Sequence, residues 1–340
     1  MAKTIMVTGA GGYIGSVLVP KLLDLGYKVK AIDRFFFGEE KLQLHPNLMI
    51  IKDDTRWLDP NHFAAVDAVI DLVAISNDPS GELFQEATYQ VNHISRVNSA
   101  IQAQKYGVGR YILPSSCSIY GFRGADEIVD ESSETNPLTT YAKANEKAEQ
   151  GILPLASDDF VVTVIRQATV YGVSPRMRFD LAINGMVYGA WDKGVIPLMR
   201  DGNQWRPMVH VQDTTDLMCL LIEADSNIIN GEIFNVGSDE NNYKLGDLAE
   251  EIVRAIPKEI TIEWYGDPDH RSYRVGFDKV ESVLGWKAQW TATRGALEIY
   301  EALESGSIQR TPETITLNWY TELMKWHQII NRLDYKGIIL

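Results

Sequence analysis

The chain has 340 residues, of which 45% are hydrophobic and 23% charged; this is the make-up of a globular protein of one large or two ordinary domains and excludes a disordered chain. Lys and Arg number 32 against 46 Asp and Glu, a formal charge of −14, so nucleic acid and anionic membranes are poor partners and any phosphate must be held at a local site. The two cysteines, Cys117 and Cys219, cannot form a disulfide framework or a thiolate metal site. No apolar run reaches a membrane span and no apolar leader follows Met1, so a cytoplasmic protein is expected.

Short apolar runs alternate with helical patterns through the first half. Strands are expected at Ile5–Val7, Val29–Ile32, Leu48–Ile51, Val66–Val73, Arg110–Leu113 and Phe160–Ile165. Between them, Ile14, Leu18, Leu22 and Leu25 keep helical spacing, with Pro20 inside the pattern as an expected kink. Leu83, Ala87, Val91, Ile94 and Ile101 predict one long amphipathic helix, and Tyr141–Leu155 another. Alternation of this kind predicts an α/β fold, a doubly wound parallel sheet of Rossmann type. After residue 172 the elements shorten and Gly, Pro, Trp and Arg become frequent. Helices near 212–224 and 245–255, strands near 231–236 and 260–264, and a last helix near 312–332 predict a smaller α/β lobe over 173–340. Residues of about 206–240 return to the first domain, 1–172.

Thr8-Gly9-Ala10-Gly11-Gly12-Tyr13-Ile14-Gly15 follows the first strand and opens the first helix. Glycine at 9, 12 and 15 permits a tight turn, close approach of backbone to a pyrophosphate, and close packing of helix on sheet; the helix N-terminus adds oriented amides. Asp33, at the end of the second strand, suits the two ribose hydroxyls of NAD and repels the extra phosphate of NADP. Arg34 beside it is the residue that would answer that phosphate.

These residues, with others further on, make the chain resemble the extended short-chain dehydrogenase/reductases of the NAD-dependent nucleotide-sugar epimerase/dehydratase family. Asp54-Thr55, Leu72-Val73-Ala74 and Asn92 match the family in order. So do Ser115-Ser116-Cys117-Ser118-Ile119-Tyr120-Gly121 and Tyr141 after Asn136-Pro137-Leu138. The resemblance implies NAD held by Gly9, Gly12, Tyr13, Ile14, Gly15, Asp33, Asp54, Thr55, Leu72, Ala74, Tyr141 and position 145. It implies Tyr141 as the base that takes a proton from a sugar hydroxyl, with Ser116 and Ser118 on the same part of the sugar.

One departure concerns the chemistry directly. The family motif Tyr-x-x-x-Lys reads Tyr141-Ala142-Lys143-Ala144-Asn145 here. Positions 141 and 145 share a helix face, whereas Lys143 lies about 200° round the helix from Tyr141. Asn145 can hydrogen-bond a ribose but brings no charge. A less activated tyrosine is therefore expected, with reduced activity at neutral pH that Asn145→Lys would raise.

In the second lobe the resemblance places Thr169 (for the usual Asn), Asn184, Arg206 and Arg271 around a nucleotide-diphosphate sugar, with Arg206 on the diphosphate. Arg176 and Arg178 read equally as pocket-mouth charges or as solvated loop residues. His210 reads as a turn-fixing residue, since no metal set surrounds it. Dehydratases of the family carry an Asp-Glu pair at positions 117 and 118, and decarboxylases a Glu at 118; Cys117 and Ser118 fit neither. A C4 epimerase is the favoured reading. The alternatives are a 4-keto nucleotide-sugar reductase or dehydratase, or a catalytically impaired NAD and nucleotide-sugar binder. Helices at 82–105 and 138–156 resemble those that pair in family homodimers.

Overall fold

The computed structural model describes residues 2–124, 127–267 and 271–338. Its centre is a seven-stranded, wholly parallel sheet. The first five strands are β1 (Thr4–Thr8), β2 (Lys28–Asp33), β3 (Leu48–Lys52), β4 (Ala68–Asp71) and β5 (Arg110–Ser116). The sheet runs Glu232–Val236, Val161–Gln167, β5, β4, β1, β2, β3. Strand order reverses between β1 and β4, and it is outside the carboxyl ends of strands at such a reversal that open α/β sheets bind ligands.

The sheet is covered on both faces. Ile5 and Val7 of β1 join Leu18 and Leu22 of helix α1 (Gly15–Asp24) and Leu217 and Leu221 of the helix Val211–Glu223. Met6, between them in sequence, points the other way and packs with Val69, Tyr111, Ala100 and Ile152. This period of two with both faces apolar is why the strands read as unbroken apolar runs. Pro20 lies inside α1, which continues past it to Asp24.

The strand Glu232–Val236 and the helix Val211–Glu223 both belong to the first-half sheet layer. The second lobe has its own core, where the helices Ala182–Lys193, Leu245–Ala255 and Ala292–Glu304 contribute Ile183, Val187, Leu248, Ile252, Ala296 and Ile299. The strand Trp205–His210 pairs with Thr169–Tyr171 and Asn242–Lys244. No described helix is long and apolar enough to cross a membrane.

Two expected elements differ. The single long helix is four pieces: Asp78–Leu83, Gln85–Tyr89, a π-helical stretch Gln90–Ser95, and Arg96–Lys105. The wider turn sits where the Asn92 side chain clasps Ile75, accepting from its N–H (2.8 Å) and donating to its carbonyl (3.0 Å); π-turns of this sort collect at functional sites. The last helix, Thr316–Leu333, is not confined to the second lobe. Its Trp319 Nε1 donates to the Phe36 carbonyl just beyond β2 (2.6 Å).

Candidate active site

A cleft of about 330 Å3 opens at the ends of β1, β2 and β4. It gathers Gly9, Gly12, Tyr13, Ile14, Gly15, Asp33, Asp54, Thr55, Leu72 and Ala74. Gly9 sits at φ +67°, and a Cβ on it would stand 2.8 Å from the Leu72 carbonyl carbon and the Val73 nitrogen. Only glycine lets β1 turn this close beneath the loop after β4. Asp33 is anchored from both sides: one oxygen accepts from Gly11 N (3.0 Å), the other from Phe35 N (2.7 Å). Burial pushes its carboxyl above the usual range against the pull of those N–H groups. Arg34 pairs with Asp54 (3.1 Å) and lies over the Phe36 ring (4.5 Å). Arg56 closes on the same Asp54 carboxylate (2.6 Å).

The cleft has a roof that the sequence did not disclose. Tyr320, Leu323 and Met324 of the last helix line it, together with Phe36, Phe37 and Phe84. Tyr320 meets those three rings at centroid distances of 6.1, 5.8 and 6.4 Å. Arg176, almost fully buried, lies 3.7 Å over Phe37 and donates Nη2 to Thr316. Its Nε and Nη1 have no partner among the described residues. Unpaired buried guanidinium donors on a residue that lines the same cleft as the glycine turn are suited to phosphate oxygens.

The candidate catalytic residues gather at the carboxyl end of β5. Ser116 ends the strand and caps the turn Cys117–Tyr120, accepting from Ser118 N at 3.1 Å. Thr139 caps the helix Thr140–Ile152 by accepting from Ala142 N, and donates its hydroxyl to Asp78 (2.7 Å). Tyr141 is thereby fixed in the first turn. Gly81 keeps the neighbouring helix close, since a Cβ there would lie 3.2 Å from Tyr141 Cβ. Burial raises the Tyr141 pKa above its ordinary value; the Ser116 hydroxyl, Arg96 and Asn145 draw it down and Asp78 pushes it up. Asn145 is buried, its Oδ1 accepting from Arg96 Nη1 at 3.2 Å, and its Nδ2 has no partner among the described residues. Ser118 Oγ is likewise buried and unpaired.

Cys117 is turned away. It is wholly buried, its thiol donates to the Arg166 carbonyl, and burial pushes its pKa far up. Arg166 itself is locked behind the site on Glu149 (2.8 Å) and Tyr120 (3.0 Å).

Across the cleft, Arg206 donates Nη1 to the carbonyls of Trp205 (2.8 Å) and Arg271. Arg271 forms an ion pair with Asp78, tying the second lobe to the cap of the Tyr141 helix. Thr169 is half-buried on its strand opposite Met208. Asn184 departs from expectation. It is fully buried, accepting from Gly172 N (3.0 Å) and donating to Tyr13 Oη (3.1 Å) and the Arg178 carbonyl (2.9 Å). With both amide hydrogens engaged it braces Tyr13, whose hydroxyl straps the glycine loop to the Gly172 carbonyl (2.6 Å), rather than reaching a substrate phosphate. Arg178 is no solvated loop residue either: it is buried on Asp180 (2.9 Å). His210 accepts from Gln212 N through Nδ1, meets Glu298 through Nε2 (2.9 Å) and stacks on Trp290, so it caps a helix.

A parallel sheet with a glycine turn after β1, an anchored acid after β2 and a Ser–Tyr pair beyond β5 defines a dinucleotide-binding protein of the extended short-chain dehydrogenase/reductase type. The model of the NAD dependent epimerase/dehydratase family matches residues 5–237, and the chain belongs to that family. It is 25% identical over 312 residues to a putative UDP-glucose 4-epimerase of Methanocaldococcus jannaschii, covering 89% of this chain and 99% of that one. It is 26% identical over 299 residues to a UDP-N-acetyl-alpha-D-glucosaminuronate decarboxylase of Bacillus cytotoxicus, covering 82% and 88%. Among solved structures, MoeE5 in complex with UDP-glucuronic acid and NAD superposes with a TM-score of 0.79 at 24% identity, covering 89% of this chain and 99% of that one; that likeness is one of fold.

Proposed function

We propose that the protein is an NAD-dependent epimerase of a nucleotide-diphosphate sugar, inverting C4 through a 4-keto intermediate. The observation that carries this reading is the loop Ser116–Tyr120, which presents hydroxyls and no carboxylate, with Cys117 sealed in the core. A Tyr–Ser pair suffices to interconvert an alcohol and a ketone. Elimination or decarboxylation as the family performs it draws on carboxylates at 117 and 118. The UDP-sugar relatives support the substrate class.

Bound NAD supplies the hydride acceptor and, afterwards, the donor. The glycine turn and Arg176 hold its pyrophosphate, and Asp33 its adenosine ribose. Tyr141, as tyrosinate, takes the proton of the sugar hydroxyl, and Ser116 donates a hydrogen bond to the same oxygen as charge develops. Arg206 binds the diphosphate from the second lobe. Residues 1–172 with the returning segment form the cofactor domain, and 173–340 the sugar-nucleotide lobe. Without a lysine at 145 the tyrosinate is the less populated form at neutral pH unless another cation assists it.

Incubation with UDP-glucose and other nucleotide-diphosphate sugars in deuterated buffer, read by proton NMR, tests the reading. Epimerisation at C4 gives the inverted sugar without deuterium in the ring; deuterium entering the sugar, or loss of carbon dioxide, would refute it. The Asp33 carboxylate also predicts a preference for NAD. Titrating both cofactors into apoprotein should show NADP binding at least tenfold more weakly, with Asp33→Ser narrowing the gap. Equal affinities would transfer the role to Arg34.

We further propose a homodimer through the helices spanning 78–105 and Thr140–Ile152. Leu83, Ile94 and Leu138 on or beside them are exposed. Light scattering at micromolar concentration should give twice the chain mass of 38.2 kDa; the monomer mass would end the proposal.

A further inference from the structure

The family motif puts an ammonium one helical turn from the tyrosine, and this chain puts an amide there. Close behind that amide the structure holds a charge the motif does not show. Arg96 starts the helix Arg96–Lys105 and is 1% exposed. A guanidinium so deep costs several kcal/mol unless every donor is answered. Its Nη2 donates to the carbonyls of Asp71 (2.5 Å) and Pro114 (2.7 Å), and its Nε to Asp71 Oδ2 (3.3 Å). That carboxylate is already engaged by the hydroxyls of Tyr111 (2.6 Å) and Thr8 (2.5 Å). The remaining arm, Nη1, goes to Asn145 Oδ1 at 3.2 Å.

Arginine has donors only. The Asn145 amide therefore cannot turn over without setting N–H against N–H. Its oxygen stays on Arg96, and its Nδ2, which has no partner among the described residues, is left to point elsewhere. Tyr141 is one turn back on the same helix face, and both Arg96 and Asn145 favour its ionised form. The carboxylate of Asp78, paired with Arg271, opposes them.

We propose that Arg96, acting through the Asn145 amide, replaces the absent lysine: it holds Asn145 Nδ2 as a donor to Tyr141 and the nicotinamide ribose, and it supplies the fixed positive charge beside the base. Arg96 is thus a positioning residue, and Asn145 the group that touches tyrosine and cofactor. The inference rests on the reading of Tyr141 as the base. It also reverses the expectation for Asn145→Lys, because an ammonium at 145 would face a guanidinium within hydrogen-bond distance.

The test uses the apoprotein and NAD, without a sugar. Ultraviolet difference titration against Tyr141→Phe reads the Tyr141 pKa, and calorimetry reads NAD affinity, for wild type, Arg96→Met, Asn145→Lys and the double variant Arg96→Met/Asn145→Lys. Arg96→Met should raise the Tyr141 pKa by about one and weaken NAD about tenfold. Asn145→Lys alone should weaken NAD, and in the Arg96→Met background it should strengthen NAD and lower the Tyr141 pKa. That reversal of sign is not expected of a residue that merely staples a helix to the sheet. Should Arg96→Met fail to fold by circular dichroism, Asp71→Asn/Arg96→Met removes both buried charges and takes its place. The proposal falls if Asn145→Lys has the same effect in both backgrounds, or if the Tyr141 pKa is unmoved by loss of Arg96. A sugar that is never epimerised would sink the functional reading and leave these results standing.

Discussion

Tyr141→Phe is expected to lower turnover of the nucleotide sugar by about a hundredfold to ten-thousandfold, the span of a positioned acid–base group, with NAD affinity nearly unchanged. The Tyr141 backbone and Cβ that lie against Gly81 are unchanged, and only the hydroxyl is lost. Thermal melting should therefore stay within a degree or two of wild type. The pH profile gives the sign. Burial raises the Tyr141 pKa and the base works deprotonated, so wild-type turnover climbs as pH rises toward that pKa. The residual activity of the phenylalanine variant should lose this limb. A variant that keeps both rate and limb would remove Tyr141 from the chemistry and pass the proton to another group.

Gly15→Ala should cost both stability and cofactor. A Cβ at Gly15 would stand 2.4 Å from the Gly9 carbonyl oxygen and 2.6 Å from that of Ala10. Both are backbone atoms of the turn itself, so no side chain can swing aside. Overpacking of this kind costs roughly 1–3 kcal/mol, and the displaced amides are those proposed to hold the pyrophosphate. Melting with and without NAD should show a lower midpoint in the apoprotein and little of the wild-type rise on adding cofactor. Gly12→Ala is the milder comparison, since its Cβ would be 3.1 Å from the Gly9 oxygen. If Gly15→Ala binds NAD like wild type, the tight turn is not what shapes the site.

The parallel sheet and glycine turn were legible because their signals are local. An apolar strand, three glycines and an acid at the end of the next strand constrain one another within a short stretch of chain. Ser116, Tyr141 and position 145 were legible from motif spacing along a turn and a helix. What escaped was long-range. Arg96 reads as one more polar residue on a helix, and only the meeting of β4, β5 and the Tyr141 helix turns it toward Asn145. Asn184 fits a motif by position, yet the path of the strap from Tyr13 to Gly172 takes its side chain inside. Helical periodicity ran past Asn92, although a side chain that bonds loop backbone on both sides opens the turn there. Helical spacing puts Ile315, Trp319, Leu323 and Trp326 on one face of the last helix, but spacing alone does not show how much of that face is covered: Leu323 lines the cleft, whereas Trp326 is 54% exposed.

The path of that last helix fixes when, in the making of the protein, the cofactor can be captured. The glycine turn is made well ahead of the last helix, and the strands that present it can begin to pair before that helix exists. Tyr320, Leu323 and Met324, which cover the same cleft, are translated long after that turn. Thr316, the side-chain partner of Arg176, belongs to the same late segment. A nascent chain therefore carries the floor of its dinucleotide site long before the ceiling, and loading is completed only once the last helix has been made. Premature termination ahead of residue 316 would leave a sheet able to fold but unable to retain its cofactor.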